Sequence, residues 1–248
     1  MNAIYILWLR QLIRYFRSKS RIIGSLAQPL LFLVALGFGF GPIYSKAGGG
    51  NYIQFLVPGI VGMSIMFTAV FMGVEMIWDR KFGFLKETMV APVSRFSIMF
   101  GRILGGATVA TLQGILVLII STFVGFRPSN WLLVIPAILV MFLIALVFTT
   151  LGTAIASIME DMQGFQLIIN FLIMPMFFLS GALFPLTGLP TAVTAISLID
   201  PLTYGVDALR GTLLGVSHLN MPLNFVMTIG IWLILMGVGS ILFSKMEA

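Results

Sequence analysis

The chain has 248 residues, 59% of them hydrophobic and 9% charged, with a formal net charge of +6, no cysteine and one histidine. A mean hydropathy of +1.10 and repeated apolar runs near the roughly 20 residues that cross a bilayer exclude a soluble domain and make this a polytopic membrane protein. The missing cysteines exclude disulfides and thiolate or cysteine–metal chemistry, and basic residues that flank apolar runs speak for anionic lipid and membrane orientation rather than nucleic acid.

Residues 4–21 predict a basic amphipathic helix. Arg10, Arg14, Arg17 and Arg21 recur at spacings of four, three and four, which puts them on one stripe, with Tyr5, Trp8, Leu9, Leu12, Tyr15 and Phe16 opposite. Such a helix lies in the cytoplasmic interface. A cleaved signal peptide is the competing reading, but the following apolar run is too long and no small-residue cleavage motif ends it. The first span is expected over 22–44, kinked at Pro29, with Gly37, Gly39 and Gly41 allowing close approach of a neighbour. A glycine-rich turn over 46–50 leads to a second span over 53–78. Glu75 and Asp79 fall in its final turns, close enough to the interface to meet water or a cation such as Arg80.

Residues 79–95 form a short charged insert between two long apolar runs, carrying Arg80, Lys81, Lys86 and Arg95. Leu85 to Val90 is expected to make under two helical turns, with Phe82, Leu85 and Met89 on one side and Lys86 on the other, until Pro92 ends it. An exposed stub held by two membrane helices is a handle for a soluble partner; the alternative is a solvated loop whose charge only sets topology.

The third apolar run, 96–126, is longer than one span requires. An arginine at a helix centre costs about 2.5 to 3.5 kcal/mol, so Arg102 is expected to snorkel toward the cytoplasmic surface. Gly101 and Gly105, then Gly106, Ala110 and Gly114, make a stripe of the kind used more often inside a subunit than between subunits. A turn over 127–130 precedes the fourth span, 131–157, and an inner loop with Glu160 and Asp161 carries no Lys or Arg. The fifth span, 165–184, holds Asn170 and Pro175, as a pathway wall or, for Asn170, as an interhelical hydrogen bond. Residues 186–222 are broken by Gly188, Pro190, Pro201, Gly205, Gly211 and Gly215, which suits short re-entrant or surface helices before the last span, 223–243. Asp207 and Arg210, three apart, are placed to pair on one helix face.

With the N-terminus inside and six spans, eleven of the fourteen Lys and Arg lie inside, and Lys46, Arg127 and Arg210 lie outside. That asymmetry favours both ends in the cytoplasm. No nucleotide-binding P-loop, His-Glu-x-x-His or Gly-x-Ser-x-Gly motif occurs, and intramembrane carboxylates are too sparse for a buried proton relay. The residues therefore describe a passage or scaffold driven from elsewhere; a self-sufficient carrier or channel and a non-transporting scaffold are the rival readings.

The inner sequence Phe84-Leu85-Lys86-Glu87-Thr88-Met89-Val90-Ala91-Pro92-Val93-Ser94-Arg95 after the second span carries a resemblance. So do the outer motifs Phe178-Leu179-Ser180-Gly181, Phe184-Pro185, Leu189-Pro190, Asp200-Pro201-Leu202-Thr203-Tyr204 and Asp207-Ala208-Leu209-Arg210. In this order and placement the chain resembles, over nearly its whole length, the type-2 ABC exporter permeases, most nearly their drug-resistance, nodulation-factor and polysaccharide branches. The resemblance implies a single all-α permease domain over 1–248 in the cell membrane, with an N-terminal interfacial helix, six transmembrane helices and an outer gate segment. It implies that Arg80, Lys81, Phe82, Gly83, Phe84, Leu85, Lys86, Glu87, Met89 and Pro92 belong to a coupling helix that docks on a separate P-loop ATPase subunit. Arg10, Arg14, Arg17 and Arg21 would belong to an interface helix touching the same partner, with two permease and two ATPase chains in the transporter. Gln28, Pro29, Asn170 and Pro175 become pathway positions, and Ser180, Gly181, Pro185, Pro201, Tyr204, Asp207 and Arg210 the outer gate. No cofactor is implied for this chain, and the cargo class is amphiphilic, drug-like, lipid-like or glycan. The acidic inner loop at Glu160 and Asp161 departs from the family pattern.

Overall fold

The computed structural model describes residues 2–48, 50–186, 188 and 190–246; Gly49 of the outer glycine turn and Leu189 of the Leu-Pro motif lie outside the described residues. The described chain is helical throughout: α1 Asn2–Arg17, α2 Lys19–Lys46, α3 Tyr52–Lys81, α4 Phe84–Val90, α5 Arg95–Val124, α6 Val134–Ile158, α7 Met162–Leu179, α8 Thr191–Ile199, α9 Pro201–Leu214 and α10 Met221–Ser244. A 3-10 turn, Trp131–Leu133, leads into α6. Hydrocarbon offers the backbone no hydrogen-bond partner, so a spanning segment must satisfy itself as a helix. Six elements, α2, α3, α5, α6 with its leading turn, α7 and α10, are long and apolar enough to cross a bilayer, as the six apolar runs predict. The fifth ends earlier than expected, at Leu179, because the chain turns left-handed at Gly181 (φ +74°) just beyond Ser180.

The N-terminal segment departs from expectation. It is two elements, since Ser18 leaves helical geometry (φ −101°, ψ 78°) and α2 restarts at Lys19, so Arg21 belongs to α2 and not to the first helix. Its buried residues are Leu7, Gln11 and Tyr15, while Tyr5 and Phe16 are exposed. What selects this face is the seat on α5. A Cβ at Gly101 would lie 3.0 Å from the Ile4 backbone, and one at Gly105 only 2.7 Å from the Gln11 side chain, so the glycine pair admits α1 at backbone distance. Trp8 Nε1 donates to Thr108 Oγ1 at 3.0 Å, and Tyr15 donates its hydroxyl to Gln113 Oε1 at 2.8 Å. Burial pushes the Tyr15 phenol above its ordinary value, against the pull of Arg21, so it stays a donor.

Helix α3 is the axis of the bundle, buried along most of its length among α2, α5, α6 and α9. Its crossing with α6 is a glycine contact: a Cβ on Gly73 would strike the Gly152 carbonyl, and one on Gly152 the Val70 carbonyl. Helices α2, α7 and α10 are peripheral, with few of their residues buried. The broken segment before the last span forms a bent pair of short helices, α8 and α9, meeting at 87°. Asp200 sets the corner. Its Oδ1 accepts from Leu202 N at 2.9 Å as the cap of α9, and Pro201 fills the first helical position. Far from riding the surface, α9 is core, packed on α3, α6 and α10.

Candidate functional site

Two carboxylates one turn apart, Glu75 and Asp79, sit buried in the last turns of α3. At that depth an unpaired carboxylate is costly, so its partners decide the local structure. Asp79 accepts from Arg10 Nη1 and Nη2 at 3.0 and 2.9 Å, a bidentate pair. It also faces Arg102 at 2.8 Å and Arg14 at 3.5 Å. Glu75 is paired with Arg21 through its Oε1 and faces Arg14 at 3.6 Å through its Oε2. Carboxylates from one helix thus gather guanidiniums from α1, α2 and α5.

Two expectations fail here for one reason. Arg102 does not snorkel: its side chain is 4% exposed, because the Asp79 carboxylate on the neighbouring helix replaces the water it would otherwise seek. Arg80 pairs with neither carboxylate among the described residues. It reaches the end of α6, donating to the carbonyls of Ser157 and Met159 at 3.0 Å each, where orphan carbonyls need donors.

The 79–95 insert is held at both ends. Arg80 fastens its start to α6, and Arg95 donates to the carbonyl of Ser244, the last residue of α10, and to that of Met246 just beyond it at 3.2 Å. Between these anchors Gly83 takes φ +79°, a conformation that favours glycine, to turn the chain from α3 into α4. Leu85 is fully buried and Met89 packs against the core. Phe82 does not join them: it is exposed and stacks on Trp78, rings 5.2 Å apart and 5° from parallel, because it precedes α4 and caps α3. The Arg10 guanidinium lies 3.8 Å over the Phe84 ring, so α1 and α4 touch through the residue that also holds Asp79. Lys81, Phe82, Lys86, Glu87, Val90 and Pro92 face outward. Arg17 is exposed at the end of α1.

Two adjoining cavities form a seam along α2, and a third lies apart, farther along the same helix. The innermost, about 450 Å³, is lined by Arg14, Arg21, Glu75, Trp78, Asp79 and Gln166 of α7. The next, about 160 Å³, shares Arg21 and Phe71 with it and adds Gln28, Pro29, Ser64 and Thr68. The outermost, about 420 Å³, is apolar, lined among others by Leu36, Phe40, Tyr52, Phe178 and Pro185. Gln28 and Pro29 thus lie on this seam. Asn170 and Pro175 are exposed on α7, and Asn170 makes no side-chain hydrogen bond among the described residues.

At the opposite end of the bundle, Ser180, Gly181, Asp207 and Arg210 come together around a 20 Å³ pocket. Asp207 and Arg210 do not pair as the spacing suggests. Asp207 accepts from the backbone of His218 and Leu219 at 2.8 and 3.0 Å and from Asn224 Nδ2 at 2.8 Å, tying α9 to the start of α10. Arg210 lies 4.0 Å over the Phe55 ring and donates to the Gly181 carbonyl at 3.1 Å. Three donors from the chain leading into α10 and its first turn satisfy the buried carboxylate in place of the guanidinium. Ser180 Oγ accepts from Ala182 N at 3.2 Å, and Tyr204 donates to the Leu198 carbonyl at 2.6 Å across the corner that Pro201 opens.

The inner ion cluster is what sequence reasoning missed. Its signal was present in the four-residue spacing of Glu75 and Asp79 against that of Arg10 and Arg14, but nothing in the sequence says that α1 lies beside α3.

Residues 2–214 match the family described as ABC-2 type transporter. Nodulation protein J of Rhizobium leguminosarum bv. viciae is 29% identical over 220 residues, 88% of this chain and 84% of that protein. Its counterpart in Rhizobium leguminosarum bv. trifolii is 30% identical over 211 residues, 84% and 80%. The inner membrane transport permease YadH of Escherichia coli (strain K12) is 27% identical over 226 residues, 90% and 87%. A match spanning five of the six candidate membrane helices and the insert between the second and third makes the assignment: this chain belongs to the ABC-2 type transporter family, as a multi-pass membrane permease.

Proposed function

We propose that the chain is the membrane subunit of an ATP-driven exporter, acting as one of two permease copies with two P-loop ATPase subunits, both its ends in the cytoplasm of a cell-membrane protein. The observation that carries this reading is the insert over 79–95, a short exposed helix fastened at each end to the bundle and continuous with α3 and α5. Such a stub transmits a push without absorbing it. ATP binding closes the ATPase pair, the closure displaces α4, and α3 and α5 tilt with it. The basic α1, in contact with α4 through Arg10 and Phe84, offers the same partner a second surface. Gln28, Pro29, Asn170 and Pro175 serve as pathway positions along α2 and α7, and the α8–α9 pair with Ser180, Gly181 and Pro185 as the outer gate. Polar cavities at one end of α2 and an apolar one toward the other support an amphiphilic cargo.

The test is copurification and function together. Gentle detergent extraction of the full-length chain is expected to bring down a roughly equimolar P-loop subunit whose ATP hydrolysis drives solute movement in proteoliposomes. Solute movement by the purified chain alone, under an ion gradient and without nucleotide, sinks the reading.

A further inference from the structure

At the inner end of the seam, Arg10, Arg14, Arg21 and Arg102 stand against two carboxylates, Glu75 and Asp79. The guanidiniums are unequally spent. Arg10 and Arg102 are committed to Asp79 at 3.0 Å or less. Arg14 reaches its carboxylates only at 3.5 and 3.6 Å and keeps 40% of its side chain exposed. Arg21 gives one fork nitrogen to Glu75 and rests the other 3.9 Å from the Met72 sulfur, a weak acceptor, with 37% of its side chain exposed. Both under-used forks open on the same 450 Å³ cavity, where Gln166 of α7 supplies an uncharged polar group and Trp78 an aromatic wall. A partly desolvated cleft with surplus guanidinium donors attracts an anion more strongly than a water-exposed one does. The cavity also adjoins, through shared Arg21 and Phe71, the α2–α3 groove with its Pro29, Met63 and Phe67 walls, which offers a hydrocarbon tail an apolar surface.

We propose that Arg14 and Arg21 form a headgroup site selecting amphiphiles with a phosphate or carboxylate head, and rejecting cationic ones, at the inner mouth of the α2–α3 seam. This rests on the exporter reading for its meaning as cargo selection, but the site itself requires no ATPase.

Test it with the purified full-length chain in an uncharged maltoside detergent, reading Trp78 emission against a Trp78→Phe control. Dodecyl phosphate is expected to bind saturably and about tenfold more tightly than dodecylphosphocholine, with no saturable signal from dodecyltrimethylammonium. Inorganic phosphate is expected to compete only at far higher concentration, which separates an amphiphile site from a free-anion site; equal competition overturns the amphiphile assignment. Arg14→Gln with Arg21→Gln is expected to lower dodecyl phosphate affinity about tenfold, whereas the exposed Arg17→Gln leaves it unchanged. Equal binding of all three amphiphiles, or the same loss in Arg17→Gln, removes the site. Should the double variant fail to fold, Arg14→Lys with Arg21→Lys, which keeps the charge, and the three-amphiphile comparison on the unaltered chain still decide. Anion preference without a copurifying ATPase leaves the site and ends the exporter reading; a copurifying, coupled ATPase without anion preference does the reverse.

Discussion

Asp79 on α3 and Arg102 on α5 meet at 2.8 Å with their side chains 6% and 4% exposed. Each is tolerable at that depth because of the other. Asp79→Asn is expected to destabilise the folded chain by about 3 to 5 kcal/mol, since it leaves buried guanidiniums uncompensated. Asp79→Asn combined with Arg102→Met is expected to recover much of that loss. Thermal unfolding of the single and double variants in one detergent checks it; a double variant as unstable as the sum of its parts excludes direct coupling.

The α3–α6 crossing leaves no room for a methyl group. Gly152→Ala drives a Cβ into the Val70 backbone and is expected to cost about 1 to 3 kcal/mol. Gly24→Ala, where nothing lies within 4 Å, is expected to be neutral or slightly stabilising, because alanine favours a helix more than glycine does. Melting temperatures of the two variants side by side make the comparison.

Gly83 at φ +79° sets the angle at which α4 leaves α3. Gly83→Ala strains that turn by about 1 to 2 kcal/mol, and Glu87→Lys reverses a charge on the outward face. Both are expected to insert in the membrane and bind their ATPase partner more weakly, with ATP-driven export reduced severalfold. Full export in both variants would mean that α4 transmits nothing.

A chain without cysteine can carry single thiols as reporters of sidedness. Val90→Cys, on the exposed end of α4, is expected to react with an impermeant maleimide only in inside-out vesicles, and Ser45→Cys, at the far end of α2, only in right-side-out ones. Labelling of Val90→Cys from outside reverses the topology.

Apolar run length was enough to count the spans and to place the insert over 79–95, because hydrocarbon thickness dictates helix length one segment at a time. Neighbour relations were not readable. Arg80 turned to α6, Arg102 to Asp79 and Asp207 to the backbone of His218 and Leu219, each a choice among partners far apart in sequence. The break at Ser18 also left no mark, since neither glycine nor proline announces it and the basic pattern runs on through Arg21. Glycine spacing was more informative: the stripe from Gly101 to Gly114 packs within the subunit, seating α1 and receiving Met72, Thr149 and Ile65.

Arg80 and Arg95 make the insert a yoke rather than a hinge. Under the exporter reading, a stroke delivered there would reach α6 and α10 across space without travelling the chain, and α1 would ride along on Asp79. The load would then be shared by α1, α3, α5, α6 and α10, leaving α2 and α7 to part from them.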